Sequence, residues 1–187
     1  MLSRHRLQTI VFALLIAGPL AGEELPAAPE GFEWKRIDSV KAAVRMPKSW
    51  FYREEAEKDG TRGIFMSLEN IDTAGEFETG LTINVTRLKK GNAQERALAF
   101  LALFAQTPGN ELLGAREKEM GVLKGIRGRI RRTEKNRAPV LMEVFSIGNS
   151  RTNAVYLFVF ESPEARWDDA WKLGEVMLGD LRLNTEF

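Results

Sequence analysis

Apolar and polar residues alternate in short runs through the first half of this 187-residue chain. In TGLTINVTRL, the apolar Leu81, Ile83 and Val85 alternate with polar residues, which predicts a strand with one exposed face. The runs FEWKRI, SVKAAVRM, WFYREEA and RGIFMSLE are also rich in strand-forming residues. The last two flank Asp59-Gly60, a dipeptide that favours a tight hairpin turn. We therefore expect the first half to be mostly β-structure.

A helical pattern follows in GNAQERALAFLALFAQTPG. Asn92 and Glu95 have the spacing of a capping box, and Pro108-Gly109 supplies a stop. The stretch from 97 to 105 contains no polar side chain, so this helix is either buried on every side or covered by something else. We expect burial within the domain. The alternative is an exposed flank that would suit a dimer, a hydrophobic ligand or a client chain.

Four further strands are predicted after this helix, near ELLGAREKE, VLKGIRGRIRRTE, VLMEVFSI and NAVYLFVFE, with turns at 135–137 and 148–150. In NAVYLFVFE, alternate residues point to opposite faces of the strand, and the residues of both faces are apolar. Such a strand must be covered on both faces, so we expect it at the centre of a sheet that lies between helical layers.

The segment ESPEARWDDAW places two tryptophans around adjacent aspartates, and we interpret it as packing. Ser162 is predicted as the N-cap of a helix and Pro163 as its first residue. One apolar stripe then recurs at helical spacing: Trp167, Ala170, Trp171, Gly174, Met177, Leu178 and Leu181. Asp168, Asp169, Lys172 and Glu175 are expected on the solvated face, with an ion pair between Asp168 and Lys172. Solvated carboxylates keep ordinary pKa values, so no acid–base role is expected of this aspartate pair.

The basic run KGIRGRIRR, 124–132, is the main candidate for a binding site. As a strand it places Arg127, Arg129 and Arg131 on one face, where an arginine ladder could bind phosphates or carboxylates. The simpler interpretation, which we prefer, is a solvated sheet face opposite the acids of GEFE or EKE. If the ladder binds anions, replacing the three arginines by glutamine is expected to abolish salt-sensitive anion binding and to leave thermal stability nearly unchanged.

The N-terminal segment has the layout of a secretory signal: a basic head, an apolar run from Ile10 to Ala17, and small residues at Gly18, Ala21 and Gly22. The run is too short to span a membrane. We expect residues 1–22 to be a cleaved signal peptide, 23–31 a linker and 32–187 one domain, in a periplasmic or secreted protein without stable membrane insertion. The remaining 165 residues carry a net charge of about −1, which gives no general attraction for nucleic acid.

The residue types that are missing exclude several kinds of chemistry. The sequence has no cysteine, and its single histidine is His5, within the predicted signal. Cysteine nucleophiles, Ser-His-Asp triads and zinc sites built from histidine or cysteine are therefore excluded after cleavage. No catalytic residue, metal site or cofactor is predicted. A hydrolase that uses carboxylates alone remains open. It should show a carboxyl with a raised pKa in a cleft, whereas a binding module should show a flat surface.

The order of these elements resembles the PsbP-like domain family. The resemblance rests on RMPKSW, with Pro47 and Trp50 at a corner, and on the closing YLFVFESPEARWDDAWKLGEVMLGDLRL. It implies an α+β fold in which an antiparallel sheet is sandwiched between α-helices. Members of this family assist photosystem assembly, bind a GTPase or chaperone other proteins, and they share no catalytic motif. The resemblance itself transfers no function. From the sequence as a whole we expect a non-enzymatic binding or assembly-assisting protein whose partner is another protein, which the sequence does not identify.

Overall fold

The computed structural model of the protein describes residues 25–56 and 61–184. The predicted signal peptide and the hairpin tip at Asp59-Gly60 lie outside these residues, so both stay predictions. The part of the predicted linker that is described runs along the surface, where the indole N–H of Trp34 donates a 2.7 Å hydrogen bond to the carbonyl of Pro26.

The described residues form ten strands and three α-helices. The strands are β1 (Phe32–Ile37), β2 (Ala42–Pro47), β3 (Phe51–Ala56), β4 (Arg62–Ser67), β5 (Gly80–Arg87), β6 (Asn110–Met120), β7 (Leu123–Arg132), β8 (Val140–Asn149), β9 (Ala154–Pro163) and β10 (Arg182–Leu183). The helices are α1 (Ile71–Ala74), α2 (Ala93–Ala105) and α3 (Trp167–Gly179), and short 3-10 helices occupy Asp38–Val40 and Glu164–Arg166.

Within the described residues, the strands form two antiparallel sheets. The large sheet has the order β3-β4-β5-β9-β8-β7-β6, and the small sheet has the order β1-β2-β10. Helix α2 lies across β7, β8 and β9 on one face of the large sheet, and α3 packs on β9 and on β2 of the small sheet. The predicted α+β fold is confirmed. Its second covering layer, however, combines a helix with the small sheet.

Strand β9 lies at the centre of the large sheet, between β5 and β8. Its residues Tyr156, Phe158 and Phe160 are almost fully buried in the main core. On the other parity, Leu157 and Val159 pack on the cluster under α2. The two-sided burial predicted from NAVYLFVFE is therefore confirmed.

The corner at Pro47 and Trp50 is a tight turn. The backbone N–H of Trp50 donates to the carbonyl of Pro47 at 3.0 Å. The Trp50 ring is buried and stacks on Phe160, with 6.4 Å between the ring centroids. This contact anchors the end of the small sheet to the central strand of the large one.

Helix α2 has the bounds and the cap that its sequence predicts, but not the burial. The Asn92 side chain accepts hydrogen bonds from the backbone N–H groups of Gln94 and Glu95. Only one narrow stripe of the helix is buried: Ala93, Ala97 and Leu101. Leu103 is 54 % exposed. The expectation that this helix is covered on every side is therefore wrong, because a helix lying on a single sheet buries one stripe and leaves its outer flank in water.

The predicted start of α3 is also wrong. Ser162 and Pro163 continue β9, where they pair with Leu141 and Val140 of β8. The Ser162 hydroxyl is buried and shares a 3.0 Å hydrogen bond with the hydroxyl of Thr79, so it does not cap a helix. Strand pairing thus continues two residues further than the local capping signal indicates.

Candidate functional site

The tryptophans of ESPEARWDDAW belong to the core, as predicted. Trp167 and Trp171 are 4 % and 8 % exposed and stack on each other, with 5.4 Å between their ring centroids. Both rings meet Phe160 edge to face. Asp168 and Asp169 face solvent. The predicted ion pair is shifted by one residue, because Lys172 bonds Asp169 at 2.7 Å and not Asp168.

Arg127, Arg129 and Arg131 share one face of the sheet, as their alternation predicts, and Arg127 and Arg129 cover the tryptophan pair. The guanidinium of Arg129 lies 5.1 Å from the ring centroid of Trp167. The Arg127 guanidinium lies 5.0 Å from Phe145 and 5.6 Å from Trp171. These distances permit cation–π attraction. The arginine ladder therefore forms the outer layer of the core at this point.

Glu143, which sequence analysis did not single out, organises the ladder. Its side chain is only 4 % exposed and accepts hydrogen bonds from the Nε atoms of both Arg127 and Arg129. Arg131 instead bonds Glu164, at 2.8 Å from Nη2. The preferred interpretation, in which the ladder faces the acids of GEFE or EKE, is therefore wrong about the partners. Glu143 sits on the same face of β8 because Arg129 and Glu143 are register partners.

The acids of GEFE and EKE bind other cations. Glu78 of GEFE pairs with Arg166, and Glu119 of EKE pairs with Lys124 at 2.6 Å. The ladder retains some exposure, since the side chains of Arg129 and Arg131 are 37 % and 40 % accessible. Its guanidinium edges can therefore still reach a partner from solvent.

Strand β6 forms an exposed edge of the large sheet beside the ladder. All of its residues between Asn110 and Met120 are exposed. On the ladder's face, Arg116 of β6 is the direct register partner of Arg127. Like charges directly opposite each other in a sheet are unfavourable. This arrangement favours the approach of an acidic group.

Exposed leucines accompany the same edge. Leu112 and Leu113 of β6 are 42 % and 50 % exposed, at the point where the β6–β7 register shifts. Leu103, on the uncovered flank of α2, adds a third exposed side chain. We call the surface formed by β6, the outer flank of α2 and the ladder arginines the β6 edge. It combines apolar groups with arginines that remain partly accessible.

A second candidate site, which sequence analysis missed, is a cavity of about 700 Å³. It lies on the face of the large sheet that carries α2, over the part that α2 leaves open. Phe65 of β4 and Glu161 of β9 contribute to it from the sheet, and Phe77 and Arg137 contribute from the loops after α1 and β7. The one sequence signal was Glu161, an acid at the end of a strand that is otherwise apolar on both faces.

Glu161 is the least exposed carboxyl that lines this cavity. Burial raises its pKa above the ordinary value, and the nearby Arg132 offsets part of this effect. The Nη2 atom of Arg132 lies 3.3 Å from Oε2 of Glu161. The expectation of a flat surface is therefore wrong for this face of the protein. A carboxyl with a raised pKa in a cleft, which we expect of a carboxylate hydrolase, is present at Glu161.

Two further observations concern membranes and metals. In the described part of the chain, no helix is both long and apolar enough to cross a membrane. Among the same residues, no three acidic, histidine or cysteine side chains converge as a metal site would require.

Comparison with known proteins identifies the fold. No protein-family model matches the sequence, and no curated protein matches it. Among solved structures, PsbP (CyanoP) from Synechocystis sp. PCC 6803 superposes with a TM-score of 0.54 at 13 % identity, covering 89 % of this chain and 99 % of that one. The Ran-binding protein Mog1p of Saccharomyces cerevisiae gives 0.53 at 10 % identity, covering 81 % and 95 %. The chain therefore has the PsbP-like fold.

Proposed function

We propose that the protein is an exported, non-enzymatic binding or assembly-assisting protein that binds another protein through the β6 edge. In this proposal residues 1–22 are removed, and 32–187 act as one domain in the periplasm or outside the cell. The observation that carries the proposal is the exposed strand β6, which has leucines and the α2 flank on one side and arginines on the other.

The chemistry of the edge defines the partner. An open strand edge can pair with an extended segment of another chain. Leu103, Leu112 and Leu113 supply apolar contact area. Arg129 and Arg131 are paired with Glu143 and Glu164, but their side chains stay 37 % and 40 % accessible. Together with Arg116 of β6, these accessible edges suit acidic groups on the partner. The partner therefore offers an apolar segment flanked by carboxylates. Mog1p, which has the same fold, is a Ran-binding protein, and this supports a protein partner.

A hydrolase that uses carboxylates alone is the second candidate, and Glu161 favours it. A general acid needs a raised pKa in a cleft. Glu161 lines the cavity, and burial raises its pKa. Its hydrogen bond with Arg132 stabilises the ionised form, which opposes a role as proton donor. If Glu161 were catalytic, Glu161→Gln would abolish hydrolysis of a substrate that the wild-type protein cleaves.

The proposal is tested by chemical crosslinking in the native host. The wild-type protein is expected to form a discrete adduct with a second protein. The double variant Leu103→Ser, Leu113→Ser should lose it, because both changes remove apolar contact area at the β6 edge. Phe51→Ser, at the opposite edge strand and 44 % exposed, is the matched control and should keep the adduct. An adduct that disappears only in the control variant would refute the proposal.

A further inference from the structure

We propose that the cavity between the loop after α1 and the loop after β7 binds an organic cation, an amine or guanidine attached to an apolar group. The proposal does not depend on the partner proposed for the β6 edge. Its ligand class follows from the charges, the apolar groups and the spacing of the acids around the cavity.

The surroundings of the cavity are acidic on balance. In the described residues, six carboxylates belong to the lining or bond its arginines, against four guanidiniums: Glu55, Asp72, Glu76, Glu78, Glu134 and Glu161 against Arg53, Arg132, Arg137 and Arg166. A cavity with excess negative charge favours a positive ligand.

The arginines of the lining are already bonded to carboxylates. Arg132 lies 3.3 Å from Glu161 and 3.4 Å from Glu134. Arg137 lies 3.7 Å from Glu134 and 4.0 Å from Glu76. An anionic ligand would have to compete with these pairs, whereas a cation would add a partner for the surplus acids.

Arg53 of β3 follows the same pattern at the far side of the cavity. It bonds its neighbour Glu55 and, at 3.2 Å, Asp72 of α1. Glu161 at the sheet end is the most enclosed of the acids, with a side chain only 20 % exposed. Its charge is incompletely compensated, since burial raises its pKa in spite of Arg132. A ligand cation would supply the missing compensation.

The apolar groups of the lining determine the rest of the ligand. Phe65, Phe77, Ile71 and Val140 contribute apolar surface to the same cavity. Aromatic faces also attract cations. A ligand that joins a cation to an apolar body would use both kinds of contact at once, as small-molecule sites commonly do.

The acids are too widely spaced for a metal ion. Across residues 25–56 and 61–184, no group of three or more potential ligand side chains is placed to hold one. A metal ion needs several ligand oxygens within about 2.0–2.6 Å. A larger organic cation can instead meet dispersed carboxylates one at a time, so the spacing favours that class.

The test is a titration of the purified protein with 2-phenylethylammonium, followed by backbone amide NMR. Saturable shifts are expected at Phe77 and Glu161. The oppositely charged phenylacetate, of similar size, should bind at least about tenfold more weakly. Glu161→Gln should weaken binding of the cation by about tenfold or more, because it removes a charge-assisted contact. Glu95→Gln, an exposed acid on α2, is the control and should leave the titration unchanged.

Two results would overturn the proposal. In the first, phenylacetate binds as tightly as the cation. In the second, the cation gives no saturable shifts up to its solubility limit. If Glu161→Gln does not fold, Phe77→Leu serves instead and should weaken the cation at unchanged charge. A blocked Phe-Lys dipeptide amide is titrated in parallel. Tighter binding of the dipeptide identifies a lysine of a protein chain as the source of the cation, and tighter binding of the free amine identifies a small molecule. Neither result depends on the β6 edge.

Discussion

Arg129 donates a 2.8 Å hydrogen bond from Nε to Oε2 of Glu143, while its guanidinium lies over the ring of Trp167 at 5.1 Å. A buried carboxylate, an arginine layer and an aromatic pair thus form one stack on β7, β8 and α3. The arginine ladder is therefore structural at its base and accessible at its rim. This distinction changes what arginine substitutions should do.

Replacing both Arg127 and Arg129 by glutamine should lower the free energy of unfolding by about 3–5 kcal/mol, because Glu143 is then buried without a counter-charge. The initial expectation that the ladder can be neutralised at almost no cost in stability does not hold for these two positions. Adding Glu143→Gln should recover most of the loss. Urea unfolding of the single, double and triple variants measures the coupling.

Arg131→Gln is the matched control for that series. Arg131 pairs with Glu164, and both side chains are more than a third exposed. Exposed pairs contribute about 0–1 kcal/mol, so this variant should unfold close to the wild type. A loss as large as that of the Arg127 and Arg129 double variant would contradict the role assigned to Glu143.

Trp171→Ala should destabilise the protein by about 3–5 kcal/mol, because it removes a buried ring from the stack and leaves a cavity. It also removes the hydrogen bond that the indole N–H donates to Glu175 at 2.9 Å. Asp168→Asn, three residues earlier on the exposed face, should leave the melting temperature unchanged. Thermal unfolding followed by near-ultraviolet circular dichroism distinguishes the two.

The stability of the wild-type protein should contain a pH-dependent contribution from Glu161. Its pKa in the folded state lies above the ordinary value of 4.5, so the folded protein binds this proton more tightly than the unfolded chain. The stability that this proton provides is complete below the ordinary pKa and is lost as the pH rises through the raised one. Glu161→Gln should therefore gain stability relative to the wild type across this window. Melting temperatures of both proteins from about pH 4 to about pH 8 test the sign, and a constant difference would show that burial does not perturb this carboxyl.

Much of the fold could be predicted because local patterns coincide with tertiary packing. Leu81, Ile83 and Val85 alternate with polar residues in the sequence, and all three are buried. Strand β9 is apolar on both faces, and both faces pack on core clusters. The cap at Asn92 also formed as expected. The start of α3 could not be predicted in this way, because the pairing of Ser162 with Leu141 and its bond to Thr79 are contacts between distant parts of the chain.

The candidate sites were predicted less well for the same reason. The sequence shows that Arg127, Arg129 and Arg131 share a face, but their partner Glu143 is set by the β7–β8 register. The cavity is formed by loops and strand ends that are far apart in sequence, and no local spacing connects Glu161 with Phe77. Local periodicity indicates which side of a strand is covered, and only the pairing of strands determines what covers it.

Loss of apolar contact area at the β6 edge should not affect folding. Leu103→Ser and Leu113→Ser remove side chains that are about half exposed, so the melting temperature of the double variant should stay close to that of the wild type. Differential scanning calorimetry checks this. A large drop would show that these leucines support the core and would remove them from the proposed contact surface.

The central claim, that a protein partner binds at the β6 edge, is tested most directly by site-specific photocrosslinking in the native host. A photoreactive residue at Leu113 is compared with one at Leu68, which is 44 % exposed and lies after β4 on the other half of the sheet. The account predicts one discrete adduct from position 113, lost when Arg116 and Arg131 are changed to glutamate, and none from position 68. Equal adducts from both positions, or an adduct from position 68 alone, would contradict it.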